Sequence, residues 1–335
     1  MTSLIRVRSF GVIADSTRFG SRYAKRRYDP CALSNDRDRK TRSGRLKPHQ
    51  IGIALAATGS LLISLDSLGF RLTEESPWNN AFWVGSFIAL AMLFMVPIRT
   101  GQSLVKVARA DGPIALLSGS LQAVSTSFFI LALDATAVSN VVAIVAAVPM
   151  LSALMAHYAI KERTSFRTWM AILAAVAGIL VIVSGSLGAG TATGDLYAVI
   201  AITGFSINLI IWRKYPSLNR QAIIGIGGLF VAVVAYIPAN PLEVSASAII
   251  ILAVLGILTG PAGRVSIATA TRYLPAAQVG LFTPVETVAA TTWAWLFLDE
   301  LPAAATVVGG VIVIAAVVFG VTTREDLEVI PVTPV

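Results

Sequence analysis

Three charged side chains fall inside long apolar runs of this sequence: Asp66, Arg264 and Glu286. A charge at bilayer depth costs from about 2.5 kcal/mol upward, so it faces a bundle interior or a wet cavity. Arg264 lies 8 residues before Arg272, which marks a span end, and therefore roughly 12 Å into its run. Glu286 lies 10 residues beyond Ala276, at the start of the next run, roughly 15 Å deep. Consecutive antiparallel helices are neighbours, so the spacing predicts these two charges side by side. They would form a buried ion pair across the helices or two halves of a polar substrate site. A pair that only locks the helices together is the plainer alternative. A carboxylate in that place could also carry a proton. Asp66 is followed by Arg71, and reads as an interfacial pair at the outer face or as an outward gate or cation contact.

Four uncharged polar residues, Gln122, Asn140, Asn208 and Gln278, also lie at or near span depth. Each is either interhelical glue or a substrate contact. Pro149, Pro261 (after Gly260) and Pro284 (after Thr283) interrupt apolar runs. Proline lacks an amide donor and bends or breaks a helix, so these three are candidate hinges. His157, close to Lys161, reads as interfacial.

Motifs for other chemistry are missing from the sequence. It holds no GxxxxGK[ST] loop, HExxH or CxxC, and GSLGAG at 185–190 does not match a dinucleotide fingerprint. One cysteine, Cys31, excludes an internal disulfide framework, and His49 and His157 are the only histidines. No cofactor, metal or enzymatic activity is expected.

The elements that must hold these residues follow from composition. Of 335 residues 56% are hydrophobic and only 13% charged, with mean hydropathy +0.76. A soluble chain carries about 25% charged residues, so this one has too few to cover a water-facing surface. The net charge of +8 does not indicate nucleic-acid binding, because 13 of the 26 Lys and Arg lie before residue 50. That stretch, 1–48, reads as a disordered basic cytoplasmic tail; a transit peptide, a displaced start site or an arm binding anionic lipid are the alternatives.

From Ile51, apolar runs of helix-spanning length recur near 51–70, 79–98, 113–133, 138–159, 167–186, 194–213, 221–238, 246–268, 276–298 and 303–322. With the tail inside, the inner connections hold cations such as Arg99, Lys106, Lys161, Arg163, Arg213, Lys214, Arg220 and Arg272. The outer ones hold Arg71 against Glu74, Glu75, Asp134, Asp195, Glu243, Asp299 and Glu300. The positive-inside rule thus places both termini, including the short tail 323–335, in the cytoplasm, by default across a plasma (inner) membrane. The six tryptophans fall near predicted span ends and read as an aromatic belt.

A shift of 138 residues superimposes the halves, with Asn140 on Gln278 and Glu162 on Glu300. Five spans per half is odd, so the second half enters the membrane from the opposite side. The prediction is an all-α polytopic membrane protein of ten transmembrane helices, arranged as two inverted five-helix repeats over 51–186 and 194–322.

The run after AVSN, the KER and DEL span ends and the LPAAQVG entry resemble the drug/metabolite transporter superfamily, in its ten-span members made of two EamA-type domains. The resemblance covers about 51–322. It implies transport of small metabolites without an ATPase subunit, in a cavity lined by spans one, three, four, six, eight and nine. The sequence reading is therefore a secondary transporter of a small polar or amphipathic metabolite, driven by protons or exchange. A non-transporting membrane enzyme or scaffold on the same bundle is the alternative. The expected partners are a small-molecule substrate and the bilayer, with no nucleic acid; a homodimer stays open.

Overall fold

The computed structural model describes residues 47–184, 191–299 and 301–322. The basic tail, the GSLGAG stretch, Glu300 and the residues beyond 322 lie outside the described residues. The first half comprises α1 (Pro48–Thr73), α2 (Pro77–Thr100), α3 (Leu104–Asp111), α4 (Pro113–Ala135), α5 (Val138–Val145), α6 (Val148–Ile160) and α7 (Phe166–Val183). The second comprises α8 (Ala192–Lys214), α9 (Arg220–Tyr236), α10 (Ala246–Val254), a π turn (Leu255–Thr259), α11 (Gly260–Ala270), α12 (Ala276–Gly280), α13 (Thr283–Leu298) and α14 (Ala304–Val321). No strand occurs among the described residues.

Eight stretches are long and apolar enough to cross a bilayer, counting α5–α6 from Asn140 and α10–α11 as one each. The apolar helix α9, with 17 residues, and the interrupted pair α12–α13 lie between them. Their starts are local in origin. Ser76, Ser103, Ser165, Thr191, Asn219 and Ser245 each accept the backbone N–H three residues on, which satisfies an otherwise orphaned donor. Pro48, Pro77 and Pro113 open α1, α2 and α4, where no amide donor is needed. Large apolar side chains such as Phe94, Leu173 and Val311 are exposed, as suits helices facing hydrocarbon.

Three predicted spans differ from continuous rods. The fourth breaks at 146–147 and the ninth at 281–282, with Pro149 and Pro284 second in the helices that resume. The eighth passes through the π turn before Gly260 and Pro261; there the longer register absorbs a residue that cannot donate. The connection at 99–112 contains α3, whose Val107 packs with Val96 and Ala222. The aromatic belt also needs correction. Trp212 is 3% exposed and donates to Ser118, and Trp293 donates to Ser64. Both indoles fasten helices together, whereas Trp295 is exposed.

Candidate functional site

The close approach of α1 and α11 builds the site. Gly59 and Gly263 face each other: a Cβ on Gly59 would lie 2.9 Å from the Gly263 carbonyl, and the reverse contact is 3.0 Å. About three turns further along α1, Gly69 packs on Leu255. Between these contacts Asp66, 6% exposed, accepts a hydrogen bond from Arg264 Nη2 at 3.0 Å. The arginine curls back along its own helix, and Gly260 makes the room, since a Cβ there would sit 2.8 Å from Nη1.

This arrangement corrects the expected pairing. Arg264 bonds directly to Asp66, 198 residues away. Glu286 completes the group from the first turn of α13, within electrostatic reach of both Asp66 and Arg264. An acid in a first helical turn is favoured by the N–H groups that point at it. Trp293 Nε1 donates to Ser64 Oγ at 2.8 Å and so fastens α13 to α1 beside the cluster. Asp66 Oδ1 and Arg264 Nη1 are buried without a hydrogen-bond partner. Such atoms are costly to leave unmet. A polar solute arriving here finds one free donor, one free acceptor and the Glu286 carboxylate.

The two interrupted spans cross nearby. A Cβ on Gly280, at the end of α12, would lie 3.0 Å from Pro149 Cα in α6. Gln278 is fully buried, and neither of its amide atoms has a partner. Ser152 and Ser206 hydroxyls are likewise unpartnered. The longer helices end alike: Lys161 closes α6 at φ 58° and Asp299 closes α13 at φ 55°. These left-handed residues stand 138 positions apart in the numbering, and each precedes a glutamate.

Where α6 ends and α12 begins, a second polar cluster closes the bundle. Glu162 Oε1 pairs with Arg213 Nε at 2.9 Å, and its Oε2 accepts the Ala276 amide at 3.3 Å. Arg213 Nη1 also donates to the Thr271 carbonyl. Arg220 donates to the carbonyls of Ala268, Tyr215, Leu218 and Trp212. In sequence Arg213 looked like a loop cation marking the inner side and Arg220 lay beside it, yet they are 7% and 4% exposed. Their positions at span ends were the available signal; helix-end carbonyls needing donors were the unseen reason.

The remaining polar candidates divide. Asn208 accepts from Ser118 Oγ at 2.6 Å and donates to the Ser118 carbonyl, so it joins α4 to α8 and takes the glue role. Gln122 lies against Gly227 of α9, with its Oε1 buried and unpartnered. Asn140 stands in the first turn of α5, its backbone N–H donating to the Ala137 carbonyl. His157 is exposed and meets Tyr158 edge-on at 5.2 Å. No group of three or more metal-ligating side chains occurs among the described residues.

Comparison with known proteins points one way. The EamA-like transporter family matches residues 50–184 and again 192–322. An uncharacterized transporter, YdfC, of Bacillus subtilis (strain 168) is 25% identical over an alignment of 188 residues that covers 52% of this chain and 60% of that protein. A solved crystal structure superimposes with a TM-score of 0.71 over 82% of this chain and 99% of the other, at 15% identity. At that identity the likeness is one of fold.

Proposed function

Because the chain belongs to the EamA-like transporter family, and is thereby a multi-pass membrane transporter, we propose that it carries a small polar or amphipathic metabolite by secondary active transport. The observation that carries this reading is the group of Asp66, Arg264 and Glu286 with an unmet donor and acceptor at its centre. Charges at that depth mark substrate or ion paths in membrane proteins.

The proposed cycle is alternating access between two inverted five-helix repeats, ten spans in all, with both termini in the cytoplasm of a plasma-membrane protein. Matching breaks ahead of Pro149 and Pro284, and matching left-handed ends at Lys161 and Asp299, support the repeat. The Glu162–Arg213 pair, with Ala276 and Thr271, then acts as the cytoplasmic latch. Glu286 serves as the coupling carboxylate, and Gln278, with both side-chain amide atoms unmet, and Gln122, with its Oε1 unmet, are the further polar contacts for the solute. Pro149, Pro261 and Pro284 are the hinges about which the half-helices turn. The transport class favours a non-enzymatic role.

Metabolite profiles of cells with and without the protein, inside and in the medium, supply the substrate. Uptake of that substrate into proteoliposomes then tests the site. Glu286→Gln keeps the shape and should abolish coupled transport while thermal unfolding stays as in the native protein. Full transport by Glu286→Gln would overturn the assignment.

A further inference from the structure

Behind the helix that carries Glu286 lies a groove of about 820 Å³ between α13 and α14, bordered by α7. One stripe of α14 forms its floor from Thr306 through Gly310 and Ile314 to Thr322. The facing wall is Val288, Thr291, Thr292 and Trp295 of α13. The two threonine hydroxyls donate to carbonyls of their own helix, Thr287 and Val288. The wall therefore offers methyl groups rather than free donors. Eighteen residues of α14 rise roughly 27 Å, close to the hydrocarbon thickness of a bilayer, about 30 Å. On its other face α14 is clamped to α7 through Gly178 and Gly309, so the gap is confined to the α13 side.

One end of this apolar slot carries a charge. Arg167, near the start of α7, is exposed. Its guanidinium lies 4.3 Å above the Phe319 ring, and its Nη2 donates to Thr322 Oγ1 at 3.2 Å. A guanidinium has five N–H donors and suits phosphate. A long apolar slot capped by a cation complements an acyl chain capped by an anion. We propose that the groove binds an anionic phospholipid from the leaflet on the Arg167 side. The phosphate sits on Arg167, and one acyl chain runs along α14 past Phe319 and Ala315 toward Val288. So seated, the chain backs α13 and steadies the helix that presents Glu286.

The test is native mass spectrometry of the full chain in detergent, supplied with equimolar phosphatidylglycerol and phosphatidylcholine. The bound fraction should favour phosphatidylglycerol by about fivefold, the effect of one cation near a membrane surface. Arg167→Gln should remove the preference while some lipid still binds. Ala315→Trp, or Ile314→Trp where the first variant unfolds, should fill the slot and lower occupancy by both lipids. Equal binding of the two lipids by the native chain, a preference retained in Arg167→Gln, or undiminished occupancy in folded Trp variants would each overturn the proposal. The readout is binding, so its failure leaves the reading of the substrate site untouched.

Discussion

Arg264 in α11 and Asp66 in α1 are joined by a 3.0 Å hydrogen-bonded ion pair inside the bundle, and each keeps one buried polar atom free of protein partners. The pair is thus both a helix fastener and an incomplete coordination shell. Glu286 makes the arrangement unequal, since one cation faces two carboxylates.

That inequality separates two single substitutions. Arg264→Met leaves two buried carboxylates without a counter-charge and should cost about 3–5 kcal/mol, the range for breaking a buried pair. Asp66→Asn leaves Glu286 to face the arginine and should cost distinctly less. Joint Asp66→Leu and Arg264→Met still leaves Glu286 without its cation, so it should regain only part of the stability, and no transport. Thermal unfolding in detergent orders the three; equal losses for the two single variants would contradict the shared role of Arg264.

The Glu162 latch predicts a change in accessibility. In a Cys31→Ser background, a cysteine introduced in place of the fully buried Gln278 should react slowly with a maleimide. Adding Glu162→Gln weakens a charge-assisted contact of about 1.5–3 kcal/mol. Labelling should then quicken by roughly tenfold or more. An unchanged labelling rate would show that this end opens by another route.

Two adjacent glycines should respond oppositely to alanine. At Gly309 a Cβ would clash with the Gly178 carbonyl of α7, whereas at Gly310 the nearest atom is 3.4 Å away. Gly309→Ala therefore forces α7 and α14 apart, at about 1–3 kcal/mol. Gly310→Ala should unfold at or above the native temperature, because alanine favours helix.

Orientation is open to reporter fusions. A reporter inserted at Gly101, where a side chain would meet nothing within 4 Å, or fused after residue 335, should read cytoplasmic. One in the 187–194 connection should read exterior. A cytoplasmic signal from that last position would break the five-plus-five arrangement.

Much of this protein was legible in one dimension because its solvent is a bilayer. Hydropathy over about 20 residues marks each crossing, and a charge within such a run must face inward. Asp66, Arg264 and Glu286 could therefore be singled out from their depth alone. Proline is equally local in effect, so Pro149, Pro261 and Pro284 marked where helices break or loosen. Which charge meets which was not local. The sequence favoured Glu286 for Arg264, since consecutive helices are neighbours; the Gly59–Gly263 contact instead lays α11 on α1 and delivers Asp66. The same holds for Arg213 and Arg220, read as loop cations but drawn in by carbonyls that other helices leave unsatisfied. Asn208 and Trp212 gained their structural role only when α4 brought Ser118 against α8. Pattern sets what each residue must avoid in lipid; packing between distant segments decides what it touches.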